Sequence, residues 1–128
     1  MSAHGSFATA INCMDGRTQL PVNEWMRREC GADYVDTITE PGPVKLLAEA
    51  RDTQVLRSIR RRVEISVTRH GSKNIAIVAH HDCAGNPVEK ERQLDQLSKA
   101  AAVVDGWALG LKVYQLWVDS DWRVHEVN

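Results

Sequence analysis

Two short apolar runs, each emptying at once into a loop crowded with reactive side chains, constrain this chain more than any other feature. SFATAIN, residues 6–12, leads directly into CMDGR, and NIAIVA, residues 74–79, leads directly into HHDCAGNP. The second run is almost continuously apolar, which suits a strand covered on both faces by helices in a parallel sheet. Open sheets of that kind bind ligands beyond the carboxyl ends of their strands. Both loops are therefore expected at one end of one sheet.

The segments between the runs carry the amphipathic spacing that such a sheet needs. The expected fold class is α/β, a single domain over residues 1–128 with a mainly parallel central sheet flanked by helices. Pro21 suits the first turn of a helix that turns Val22, Trp25 and Met26 inward, and Gly31 suits its end. YVDTIT, residues 34–39, reads as a second strand, EPGP as a rigid turn, and about Val44 to Arg51 as a short helix. From Asp52 to His70, Leu56, Ile59, Val63 and Val67 fall at helical spacing, with Gly71 as the stop. The opposite face carries Arg57, Arg60, Arg61 and Arg62 and reads as solvated rather than as an anion site. Asn86, Pro87 and Glu89 predict the start of a long helix reaching about Leu109. LKVYQLWV, residues 111–118, and WRVHEV, residues 122–127, read as two strands joined by a turn at Asp119 to Asp121, hence a hairpin.

Charge narrows the choice of partners. Sixteen basic and 17 acidic side chains leave a formal net charge of -1, so no global field draws the chain to nucleic acid or to an anionic membrane. The start, MSAHGSFATA, lacks a basic segment followed by a long apolar one, and no stretch is apolar enough to span a bilayer. A cytoplasmic protein acting on a small molecule is expected. Three cysteines, Cys13, Cys30 and Cys83, are too few and scattered for a disulfide framework.

If the two loops meet, Cys13, His80 and Cys83 supply two thiolates and an imidazole, a soft set suited to Zn²⁺ with a fourth position left for water or substrate. Asp15 can accept a hydrogen bond from a metal-held water, and Arg17 can hold that carboxylate ionised; a local salt bridge is the plainer alternative, with Gly16 serving a tight turn. Two thiolates neutralise the ion, so its water is less acidified than on a three-histidine site unless neighbours help. Cys30 has no histidine nearby and reads as a packed or idle thiol. His81 and Asp82 read either as groups behind the donors or as solvated loop, and His4, His70 and His125 show no partner in the sequence. A cysteine phosphatase is excluded, because its phosphate cradle needs a longer loop between Cys and Arg than CMDGR offers. The four tryptophans, Trp25, Trp107, Trp117 and Trp122, suit either the core or a subunit interface.

These residues resemble the signature of the β-class carbonic anhydrases: Cys-x-Asp-x-Arg after the first strand, here Cys13-Met-Asp15-Gly-Arg17, and His-x-x-Cys after the third, here His80-His-Asp-Cys83. The likeness extends through SIRRRVEISVTRHGSKNIAIVAHHDCAG, residues 58–85, and covers about residues 7 to 127. The resemblance implies a Zn²⁺ ion held by Cys13, His80 and Cys83, with Asp15 and Arg17 as the catalytic dyad. It further implies a sheet of order 2-1-3-4 with an antiparallel fifth edge strand, and a homodimer or higher homo-oligomer. The activity implied is reversible hydration of carbon dioxide to bicarbonate through a zinc-bound hydroxide. Alternatives are hydrolysis of COS or CS2 on the same site, or a non-catalytic zinc-binding domain. The chain is shorter than typical members, and it has TEPGP, residues 39–43, where many carry Arg-Asn-Ala-Gly-Asn beside the active site.

Overall fold

A computed structural model describes residues 5–127; His4 lies outside the described residues. Strand β1, Phe7–Cys13, runs through a single 3-10 turn into helix α1, Gln19–Cys30, and the chain returns as strand β2, Tyr34–Glu40. Helices α2, Pro43–Glu49, and α3, Thr53–His70, precede strand β3, Asn74–His80. Helix α4, Lys90–Asp105, leads into the hairpin of β4, Lys112–Val118, and β5, Val124–Val127. The strand order is β2-β1-β3-β4-β5, with the first four parallel and β5 antiparallel to β4. This is the α/β topology that the resemblance implies.

Alternation along the central strands divides the core into two layers. Ile11, Ile75, Ile77 and Ala79 face α2, α3 and α4, where they meet Leu47, Ile59, Val63 and Leu97. Ala8, Ala10, Ala76 and Val78 face α1, and their small size leaves room for Trp25 and Met26. Each large side chain fully buried in this way contributes about 1.5–3 kcal/mol over leaving it exposed. Trp117 is buried with the first layer, whereas Trp107 and Trp122 are only partly covered.

The caps follow the sequence closely. Gly31 and Gly71 end α1 and α3 in the left-handed conformation, and the Asp52 carboxylate caps α3 by accepting from the Val55 amide. Three helix boundaries differ. Helix α4 begins at Lys90, not at Asn86: the Asn86 side chain is buried, its Nδ2 donates to Gln96 Oε1 at 2.6 Å, and its Oδ1, the atom a cap would use, accepts from no helix amide. The same helix stops at Asp105, short of Leu109, because the chain tightens there: Trp107 donates to the Val104 carbonyl and Ala108 takes a φ of +54°. Helix α2 likewise ends at Glu49, with Ala50 at φ +52°, before Arg51.

Among the described residues no helix is long and apolar enough to cross a membrane.

Candidate metal centre

The two loops do meet, and strand register brings them together. β1 and β3 are adjacent and parallel, Ile11 level with Ile77, so the loops that follow Cys13 and His80 leave the same end of the sheet side by side. The Cys13 sulfur lies 3.8 Å from that of Cys83, and with a His80 ring nitrogen the three donor atoms lie within 4.8 Å of one another. All three side chains are buried.

Local chemistry sets each of them. Asp15 caps the 3-10 turn Gly16–Thr18, accepting from the Arg17 amide at 2.9 Å, while Thr18 Oγ1 donates to the Asp15 carbonyl at 2.8 Å. Gly16 itself has an ordinary φ and open space around it, so the turn does not depend on glycine there. Gln19 Nε2 donates to the Cys13 carbonyl at 2.7 Å and buried Asn12 Oδ1 accepts from the Cys13 amide at 2.8 Å, fixing the first loop at its root. On the second loop, His80 Nδ1 lies 2.7 Å from the His81 carbonyl. A carbonyl can only accept, so Nδ1 carries the proton and Nε2 presents its lone pair. That Nε2 is buried and has no hydrogen-bond partner.

The donor set fits a tetrahedral zinc ion. Two sulfurs at about 2.3 Å from such an ion stand about 3.8 Å apart, which is their separation here, and the orphaned Nε2 is the kind of buried polar atom that a metal satisfies. The carbonyl behind Nδ1 is the usual support of a ligating imidazole. A hydrogen bond from Cys83, against the effect of burial, pulls the Cys13 thiol below its ordinary range, and His80 with the Gly42 and Asp15 amides adds to it. Cys83 is pushed up by giving that hydrogen bond and by burial. Burial pulls against protonation of His80, but the Cys13 sulfur and the His81 carbonyl outweigh it and the shift is upward.

Asp15 and Arg17 form a bidentate pair at the edge of this cluster. Arg17 Nη2 and Nε donate to the two carboxylate oxygens at 2.7 and 3.1 Å, and the guanidinium holds Asp15 down at about 2. Arg17 also reaches Asp82, whose carbonyl and carboxylate accept at 3.2 and 3.3 Å. Asp82 thus belongs to the site, while His81 contributes its main chain and leaves its side chain exposed.

The third loop, TEPGP, packs backbone to backbone on the second. A Cβ on Gly85 would stand 2.6 Å from the Pro41 carbonyl carbon, and one on Gly42 2.9 Å from the Gly85 carbonyl. The Glu40 carboxylate is engaged by Arg62 of α3, so one arginine of the basic stripe has a partner at the root of this loop. Arg60 lies 3.9 Å from Glu64, and Arg57 and Arg61 are exposed, as a solvated face requires.

Other candidates are placed elsewhere. Cys30 lies outside the donor set, and burial pushes its thiol up. His70 pairs with Asp36 and His125 with Asp119, each at 2.6 Å. Gln93 and Trp122, which the sequence reading did not connect to the site, both touch it. Gln93 carries a visible signal, a polar side chain on the inward face of α4 beside Leu97, Ala100 and Val104; Trp122 reaches Arg17 only through the hairpin.

The sequence model of the family described as "Putative carbonic anhydrase" matches residues 3–128. No curated protein sequence matches the chain. Among solved structures, a carbonic anhydrase from Glaciozyma antarctica aligns with a TM-score of 0.59 at 14% identity, over 94% of this chain and 81% of that one. The tetrameric β-carbonic anhydrases of Sordaria macrospora give a TM-score of 0.58 at 15% identity, over 94% and 80% of the two chains. The β-carbonic anhydrase CafD of Aspergillus fumigatus gives 0.60 at 11% identity, over 97% and 90%. At such identities the structures share a fold.

Proposed function

The chain belongs to the β-carbonic anhydrase family, and from that premise we propose that it reversibly hydrates carbon dioxide to bicarbonate, with Zn²⁺ held by Cys13, His80 and Cys83. The observation that carries the reading is the buried, unpartnered Nε2 of His80 standing in one donor group with two cysteine sulfurs. Bound there, zinc supplies a Lewis acid that acidifies a coordinated water.

The remaining chemistry belongs to the chain's own side chains. Asp15 is held ionised by Arg17, so it offers acceptors only and can orient a nucleophile by taking its hydrogen bond. Its oxygens are occupied by Arg17, and it stands outside the group of three donors, which supports an open fourth position rather than one closed by Asp15. Burial of Cys13, His80 and Cys83 keeps bulk water from the donors and strengthens electrostatics among them. We take the working form as cytoplasmic and as a homodimer or larger assembly; the Sordaria macrospora proteins of this fold are tetrameric.

The deciding experiment is stopped-flow carbon dioxide hydration at mildly alkaline pH on protein carrying stoichiometric zinc, with Cys83→Ser as the blank. A zinc-dependent rate is expected. Full zinc occupancy with no rate above buffer overturns the reading, and sulfide release from COS or CS2 by the same sample would replace it.

A further inference from the structure

The β4–β5 turn holds a residue that its backbone does not suit. Trp122 has a φ of +61°, and its amide closes the turn on the Asp119 carbonyl at 3.0 Å. A left-handed position after such a turn ordinarily falls to glycine. A bulky side chain persists there only when its surroundings hold it, and such residues gather at functional sites.

Asp119 does the holding. Its Oδ1 accepts from the Asp121 and Arg123 amides at 2.9 and 3.0 Å, its Oδ2 meets His125 Nε2 at 2.6 Å, and its own amide donates to the Arg123 carbonyl at 3.0 Å. The turn so fixed delivers the Trp122 ring to 4.3 Å from the Arg17 guanidinium carbon and 6.4 Å, between centroids, from the His80 ring. The guanidinium is then held by Asp15 at one edge and Asp82 at another, with its carbon over the indole ring, while the rest of the side chain stays partly exposed. A guanidinium held over an indole and forked onto a carboxylate has its donor orientation restricted in a way that an ammonium's would not be.

We infer that Trp122 is a positioning residue, whose indole, lying under the Arg17 guanidinium, restricts that side chain so that Asp15 stays bidentately bound beside the donor set. The positioning stands on geometry alone; its effect on turnover rests on the hydration reading.

The test follows the Arg17 Nε–Hε resonance in arginine-labelled, zinc-loaded protein, assigned by its loss in Arg17→Lys. In the native protein this proton should be ring-current shifted and slow to exchange. Trp122→Leu keeps apolar bulk without a π face, and Trp122→Gly relieves the turn; both should remove the shift and speed exchange, with zinc content unchanged. Trp122→Phe should restore much of the shift and the protection. Turnover should fall in kcat rather than KM in the Leu and Gly variants and recover in the Phe variant. If the resonance is unaltered in whichever of the Leu and Gly variants folds, the proposal is overturned. If the resonance changes as expected but even the native protein shows no hydration, the positioning stands and the hydration reading falls.

Discussion

Gln93 closes two hydrogen bonds on the main chain of His80, its Nε2 donating to the carbonyl at 2.9 Å and its Oε1 accepting from the amide at 3.3 Å. The side chain is buried, so these bonds form away from solvent and tie the end of β3 to helix α4. A third bond, to the Val88 carbonyl at 3.3 Å, brings in the segment that follows Cys83. Gln93→Leu is expected to cost about 1–3 kcal/mol by leaving buried backbone groups unpaired. Denaturant unfolding measures that loss, and competition with a chromophoric chelator should show weaker zinc binding in the same variant. Unchanged stability and affinity would reduce Gln93 to a filler of space.

Gly85 and Gly16 provide a contrast. A methyl at Gly85 meets the Pro41 backbone, which cannot swing away, whereas one at Gly16 meets nothing within 4 Å. Gly85→Ala should lower stability by about 1–3 kcal/mol and displace the loop carrying Cys83, while Gly16→Ala stays within about 0.5 kcal/mol. Thermal melts of the two variants, with zinc content, check both halves.

Cys83→Ser should lose zinc and Cys30→Ser should keep it, because only the first removes a member of the donor set. Stripping the metal from native protein with a chelator should lower the melting temperature. At free zinc one hundred times the dissociation constant the bound ion stabilises by about 2.7 kcal/mol. Elemental analysis and differential scanning calorimetry provide the measurements, and equal zinc in both serine variants would refute the assignment.

Asp15→Asn should retain zinc and lose turnover, since the amide no longer offers two ionised acceptors. The pH dependence has a definite sign. Arg17 holds the folded-state Asp15 at about 2, below its ordinary value of 3.8, so the stability it contributes is fully present above that ordinary value. It is lost as pH falls through about 2. The gap in melting temperature between native and Asp15→Asn protein should therefore be constant in the neutral range and shrink in acid. A gap that grows on acidification would contradict the ion pair.

The sequence carried the architecture because the determinants were local. Strand runs with chemistry at their ends, Gly31 and Gly71 as stops, and Asp52 before an amphipathic stretch all act within a few residues. The donor set was legible for the same reason: each loop is self-contained, and the parallel sheet supplies the meeting place. What escaped was tertiary. Asn86 looks like a helix cap until burial turns its amide toward Gln96, His70 at the end of α3 finds Asp36 on β2, and His125 finds Asp119 only once the hairpin forms. Trp122 gave no sign that it faces Arg17, because the contact spans the sheet from β1 to the hairpin.

The position of β3 between β1 and β4 has a consequence for biosynthesis. As the nascent chain emerges, β1 can zip to β2 early, but its other edge stays open until β3 arrives and slots against it. Cys13 therefore waits, without either of its companions, until His80 and Cys83 have left the ribosome. The pairing of β3 with β1 that completes the donor set also joins the early half of the chain to the late half.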